Sequence, residues 1–270
     1  MKIDQLASKY KILPEVFEVV SLTREVTGKD LDFQLVLNLN TDGSTKIARK
    51  RMPEHLIKLK ENSTARINHI IVHECGHILR TMSAEASERV VPSSNHETTS
   101  RALDDMQDEL TDVPPESRLE IGGFWMQAII NQLVNLPVDA RIETWIYNDY
   151  PSFRVTQGKS IEADVQNSLL SLSDKVREST AESVFKKSGA MIYAYLRSVS
   201  AITGVNYAPH FKKYPDIKKL GRKLYACLEA EDEGFDQDVE IIKRWAEMLG
   251  IEGWVTWIGF EDVPESYYEA

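Results

Sequence analysis

An apolar run that contains two histidines four positions apart, His73 and His77, is the feature that most constrains how this chain folds. The run covers residues 67–80 and reads INHIIVHECGHILR. Apolar residues on most sides predict a largely buried helix, extending from an N-cap at Asn62 to Thr64 as far as Arg80 or Met82. Residues four apart lie one turn apart on a helix, so both imidazoles project from the same face. Because buried imidazoles need partners, the run predicts a metal ion held by both rings.

The residues between the two histidines complete an H-E-x-x-H pattern. Glu74 lies about 100° around the helix from His73, where a carboxylate can contact a metal-bound water without being a ligand. A general base at Glu74 is therefore expected. Cys75 occupies a variable position of the pattern, and we interpret it as a small buried residue. Gly76 costs a helix interior about 0.5–1 kcal/mol relative to alanine, which predicts that another group comes close there.

A catalytic zinc needs a third protein ligand beside His73 and His77. Asp139 and Glu143 are four apart, on one face of a predicted helix that runs from Val138 to Tyr147, with Pro137 near its first turn. One carboxylate would bind the metal, and the other would accept a hydrogen bond from the far nitrogen of a ligand histidine.

Other histidines and a tyrosine are weaker candidates. His69 precedes His73 by one turn, but three successive turns of a straight helix converge poorly on one ion, so we expect a supporting or core role. His96, Tyr147 and His210 each offer a donor for an oxyanion. Nothing in the sequence selects among these three, and we expect solvated histidines and a packed tyrosine.

The motif His73, Glu74, His77 and the pair Asp139 and Glu143 resemble the zinc metallopeptidases of the H-E-x-x-H class, the zincins, and among them the gluzincin-like group. In that group a second helix carries an acidic ligand and a further acidic residue one turn away. The resemblance covers about residues 31 to 150 and implies a Zn²⁺ cofactor and a hydrolase that cleaves a peptide or protein substrate with Glu74 as general base. The chain has Asp before Glu where the group has Glu before Asp. Matching by position favours Asp139 as the ligand, and matching by residue type favours Glu143.

The alternative function is a non-catalytic, metal-stabilised protein-interaction domain. Glu74 argues against it, because a structural metal site has no use for a carboxylate beside the metal.

Composition limits the partners and the compartment. The 270 residues include 32 Lys and Arg against 42 Asp and Glu, a net charge of −10, with no strongly basic segment, so nucleic acid and anionic membranes are not expected as partners. No segment offers 18 uncharged apolar residues and the first residues do not resemble a leader, so no membrane span or export is expected. Two cysteines provide no disulfide framework, and a cytoplasmic location is expected.

The pattern along the chain predicts an α+β fold that is mostly helical, with a small N-terminal β-sheet packed on the motif helix and a helical C-terminal half. We expect a domain at 1–150 and a helical region at 151–270, the latter either separate or part of the same domain. Predicted elements are a helix at 14–27, a hairpin of strands 33–39 and 45–52, a strand at 55–60, a loop at 83–100, helices at 102–111 and 118–134, and helices from 160 to 249 with breaks at 188–189, 204–214 and 233–234.

Overall fold

A computed structural model describes residues 1–49, 51–63 and 65–263, and these form the predicted mostly helical α+β fold. The helices are α1 (Ile3–Ala7), α2 (Pro14–Thr27), α3 (Ile67–Ser83), α4 (His96–Asp105), α5 (Arg118–Asp149), α6 (Arg154–Leu170), α7 (Asp174–Glu178), α8 (Glu182–Thr203), α9 (Pro215–Leu228) and α10 (Phe235–Leu249). The strands are β1 (Asp30–Val36), β2 (Gly43–Lys46), β3 (Glu54–Lys60), β4 (Val90–Ser93) and β5 (Thr256–Gly259). None of the helices in the described ranges is both long and apolar enough to cross a membrane.

Two compact units are built from interleaved segments of the chain. The first unit contains Met1–Val90, Ile142–Ile161 and the described residues from Gly259 on. The second contains Val91–Arg141 and Glu162–Ile258. The boundary expected at residue 150 falls inside a segment of the first unit.

The sheet of the first unit has the strand order β1-β3-β2. Strand β3 lies in the centre, parallel to β1 with Asp30 opposite Glu54, and antiparallel to β2 with Gly43 opposite Leu59. The predicted hairpin was wrong, because the first two strands both pair with β3 and not with each other. The physical reason is the alternation of β3, whose buried His55, Ile57 and Leu59 suit a central strand.

Two helices, α2 and α3, cover this sheet and each other. Helix α2 has the predicted bounds, with Pro14 in its first turn and Gly28 ending it in the left-handed conformation at φ 65°. Helix α3 begins at Ile67, later than the predicted cap at 62–64, and Arg66 precedes it without a side-chain cap. Its start is later because turns occupy the residues in front of it, where Ser63 N donates to Lys60 O and Arg66 N donates to Ser63 O.

Helix α5 continues through Pro137, so the predicted interruption at 135–137 and the new helix at 138 were wrong. A proline inside a helix removes one backbone hydrogen bond and costs about 3 kcal/mol. The buried residues Leu133, Ala140 and Ile142 on either side of it show why the helix persists, since burial of their apolar surface offsets that cost.

The second unit has a helical core in which apolar side chains of α5, α8, α9 and α10 pack with residues 251–255. The predicted break at Ser188–Gly189 was wrong, because α8 runs on to Gly204. Gly189 lies where Ile217 of α9 packs, and a Cβ there would come within 2.8 Å of that side chain. The predicted breaks at 204–214 and 233–234 are confirmed by the ends of α8 and the start of α10.

The predicted loop at 83–100 also contains regular structure, since β4 pairs with β5 and α4 begins at His96. Helix α4 starts earlier than the predicted helix at 102–111, because the Asn95 side chain accepts a hydrogen bond from Thr98 N at 3.0 Å and caps it. Among the aromatic residues between 254 and 268, Trp254 is buried, while Tyr267 and Tyr268 lie outside the described residues.

Candidate metal centre

The two motif histidines converge on a common point. His73 and His77 lie one turn apart on α3, and their Nε2 atoms are 3.2 Å from each other. Two nitrogens bound to one tetrahedral zinc, each about 2.05 Å from the ion, lie about 3.3 Å apart. The paired Nε2 atoms therefore fit two adjacent ligand positions of such an ion.

The carboxylate of Glu143 on α5 lies on the Nδ1 side of His73. Its Oε1 accepts a hydrogen bond from His73 Nδ1 at 2.8 Å, and its Oε2 accepts one from His69 Nε2 at 3.0 Å. Gln157 Nε2 of α6 donates to the same Oε2 and to the Glu143 backbone oxygen, at 2.7 Å each. Both carboxylate oxygens are therefore occupied by donors from other helices of the first unit.

The Glu143 carboxylate is ionised despite being only 1% exposed. Burial raises the pKa of Glu143, but the charge and hydrogen bonds of His69 and the hydrogen bond of His73 outweigh that effect, so its pKa lies well below the ordinary value. A negative charge is thus fixed beside His73, on the side opposite His77.

This charge sets the tautomer of His73. Since a carboxylate can only accept, the His73 proton lies on Nδ1, and in the neutral ring Nε2 carries the lone pair. Metal-binding histidines are usually oriented in this way by a carboxylate on the far nitrogen. The lone pair of His73 Nε2 therefore faces His77, an arrangement that suits a metal ligand.

The close approach predicted at Gly76 is made by α5. A Cβ at Gly76 would lie 2.8 Å from Ile142 Cγ2, closer than carbon atoms can pack. The missing side chain lets α3 and α5 come near enough for the neighbouring Glu143 to reach His69 and His73.

Glu74 faces strand β2 of the sheet. Its Oε2 accepts a hydrogen bond of 2.6 Å from Thr45 Oγ1 on β2, and the side chain is 7% exposed. Cys75 is fully buried, and burial raises the pKa of its thiol to about 12, so it stays protonated and is a poor metal ligand.

The remaining candidates from the sequence are Asp139, His96, His210 and Tyr147. Asp139 stands one turn before Glu143 on the continuous helix α5 and on the same face of that helix. His96 and His210 are exposed residues of the second unit. Tyr147 packs under the guanidinium of Arg154, which lies 4.5 Å from the ring centroid.

Sequence reasoning missed two residues of the centre, Gln157 and Thr45. Gln157 is a single polar residue on a helix 14 positions beyond Glu143, and no sequence pattern separates it from a surface glutamine. Thr45 had a weak signal, since it alternates with Gly43 on a short polar strand. Residues two apart on a strand share a face, but the sequence does not reveal that α3 covers it.

Compared with known proteins, the chain matches no family model, no curated protein and no solved structure.

Proposed function

We propose that this protein is a zinc-dependent hydrolase that cleaves peptide bonds. The observation that carries the proposal is the 3.2 Å approach of His73 Nε2 to His77 Nε2, with Glu143 holding the opposite side of His73. A histidine pair that only filled a core would not need a buried, ionised carboxylate to fix its tautomer.

The supporting acid in this proposal is Glu143, and the third ligand stays a prediction from the sequence, in which matching by position favours Asp139. Glu143 already accepts hydrogen bonds on both oxygens from His69, His73 and Gln157, which is the role of a supporting carboxylate. Asp139 offers the other carboxylate, one turn earlier on the same helix face. This assignment agrees with matching by position in the gluzincin-like pattern, in which the ligand comes first and the supporting acid follows.

Zinc held by His73 and His77 would supply a Lewis acid and would lower the pKa of a water at this centre to about 7. Glu74 is the general base in this proposal, taking a proton from the attacking water and returning it to the leaving amine. Glu143 would keep His73 in the tautomer that binds the ion. A peptide is the proposed substrate because the motif pattern resembles that of metallopeptidases.

The test combines metal content with turnover. The purified protein should contain about one zinc per chain, lose it to a chelator, and cleave members of a mixed peptide library only when zinc is present. Glu74→Gln should keep the zinc and lose at least 100-fold in kcat, because the amide cannot accept the proton. His77→Ala should lose zinc and turnover together.

Two results would contradict the proposal in different ways. Equal turnover by wild type and Glu74→Gln would refute the assigned base. A protein whose melting temperature rises with zinc but which cleaves no peptide would instead support the alternative of a non-catalytic, metal-stabilised interaction domain.

A further inference from the structure

The edge strand β2 lies directly against the side chain of Glu74. Thr45 Oγ1 is 2.6 Å from Glu74 Oε2 and 3.3 Å from the Glu74 backbone oxygen. One hydroxyl proton can serve only one acceptor at a time, and the shorter distance together with the negative charge favours the carboxylate. Thr45 thus donates a charge-assisted hydrogen bond to one oxygen of Glu74.

The second oxygen of Glu74 lies over Gly43 on the same strand. A Cβ at Gly43 would come within 2.6 Å of Glu74 Oε1 and equally close to Ile70 Cγ2. Gly43 and Thr45 are two apart and share the face of β2 that meets α3. One residue therefore binds the carboxylate and the other leaves room for it.

The contact of Glu74 with Thr45 and Gly43 restricts the terminal torsion of the Glu74 side chain, which otherwise rotates easily. The terminal torsion of a glutamate side chain has a broad, two-fold profile, so an unrestrained carboxylate samples many orientations. A hydrogen bond on Oε2 and the strand backbone beside Oε1 hold both oxygens in fixed directions. Such preorganisation matters for a base, since a misplacement of about 1 Å can cost about 100-fold in rate.

We infer that Thr45 is a positioning residue for the general base, and that Gly43 is required because any larger residue would displace the same carboxylate. The inference rests on the proposed function. It assigns Oε1 of Glu74 as the oxygen that takes the proton, because Oε2 is engaged by the Thr45 hydroxyl.

The test compares Thr45→Val, which keeps the shape but removes the hydroxyl, with Thr45→Ser, which keeps it. We expect kcat of the valine variant to fall about 10- to 100-fold, with KM within twofold of wild type and zinc content unchanged. The serine variant should retain kcat within a few-fold. Gly43→Ala should lower kcat in the same way as Thr45→Val.

Ser44→Ala is the matched control, because its side chain lies on the opposite face of the same strand. A purely structural role for Thr45 would reduce the melting temperature without a selective loss of kcat, and serine would not restore the rate. Wild-type kcat in Thr45→Val, or an effect on KM alone, would overturn the inference.

A stability cycle separates this inference from the proposed function. Thr45→Val and Glu74→Ala should be non-additive in the free energy of unfolding if the two side chains are hydrogen-bonded, and additive changes would overturn the contact itself. If the wild type cleaves peptides and Thr45→Val has the same kcat and KM, the positioning role of Thr45 is refuted while the proposed function stands. A zinc-loaded wild type that cleaves no peptide, with the coupling present, refutes the proposed function and the catalytic role of Thr45 with it.

Discussion

His73 and Glu143 are joined by a 2.8 Å hydrogen bond between Nδ1 and Oε1, across 70 positions of the chain. The contact connects the motif helix α3 to α5 inside the first unit and places a buried negative charge behind the imidazole. It explains how the imidazole of His73 is kept in one orientation. The same carboxylate also receives His69 and Gln157, so it is the point at which three helices of this unit meet.

Replacement of Glu143 by glutamine tests this role. His69, His73 and Gln157 all donate hydrogen bonds to the native carboxylate, which has two accepting oxygens. The glutamine amide has only one, so its NH₂ group would face at least one of these donors and could not accept from it. We expect zinc affinity to fall by about 10- to 100-fold, the usual effect of losing a supporting carboxylate. Competition with a chelator measures it. Glu120→Gln, at an exposed position of the same helix, should leave the affinity unchanged, and an unchanged affinity in Glu143→Gln would contradict the supporting role.

The hydrogen bonds that Gln157 donates to Glu143 can be removed separately. Gln157→Leu deletes two hydrogen bonds to Glu143 but leaves both histidines in contact with it. Loss of a hydrogen bond to a charged group is expected to lower the free energy of unfolding by about 1.5–3 kcal/mol. Urea denaturation provides the measurement, and Gln166→Leu, at an exposed position of the same helix, is the control.

The motif and the acidic pair were visible in the sequence because helical spacing alone fixes which residues share a face. His73, His77, Asp139 and Glu143 each became a candidate in this way. Spacing did not decide between the two carboxylates, because an i, i+4 pair defines a face and not the turn that reaches His73. That choice depends on how α5 docks on α3, which is set by the contact between Gly76 and Ile142.

The errors in the fold have a related cause. The hairpin prediction failed because β1 pairs with β3, the second strand after it, and not with β2, the next strand in the chain. The interruption at Pro137 failed because local propensity was outweighed by burial of residues such as Leu133 and Ala140. Both outcomes depend on tertiary contacts that the local sequence does not encode.

Gly76 provides a test of the close approach between α3 and α5. Gly76→Ala adds a methyl group 2.8 Å from Ile142 Cγ2, and we expect a loss of about 1–3 kcal/mol of stability from overpacking, together with weaker zinc binding. Gly123→Ala on α5, whose Cβ would meet nothing within 4 Å, should instead stabilise the protein by about 0.5–1 kcal/mol. The combination of Gly76→Ala with Ile142→Ala should be less destabilising than the sum of the single changes. Additive effects would show that the two residues do not compete for the same space.

His55, on the central strand of the sheet, leads us to expect that the free energy of unfolding depends on pH. The ring is fully buried, and its Nδ1 accepts a hydrogen bond from Ala48 N at 2.9 Å. Burial, assisted by the charge of Lys29, lowers the pKa of His55 from 6.5 to about 4. The unfolded chain therefore binds a proton near pH 6.5, while the native protein binds it only near pH 4.

As the pH falls through this window, protonation favours the unfolded state, so stability is fully present above about pH 6.5 and is lost toward pH 4. Between pH 7 and pH 5 this histidine should lower the free energy of unfolding by about 2 kcal/mol. His55→Asn retains an acceptor for Ala48 N but does not titrate, so its stability should depend less on pH by that amount. Urea titrations at pH 7 and pH 5 measure this change in the free energy of unfolding, with His96→Asn at an exposed position as the control. Equal pH dependence in wild type and His55→Asn would show that His55 is not the group responsible.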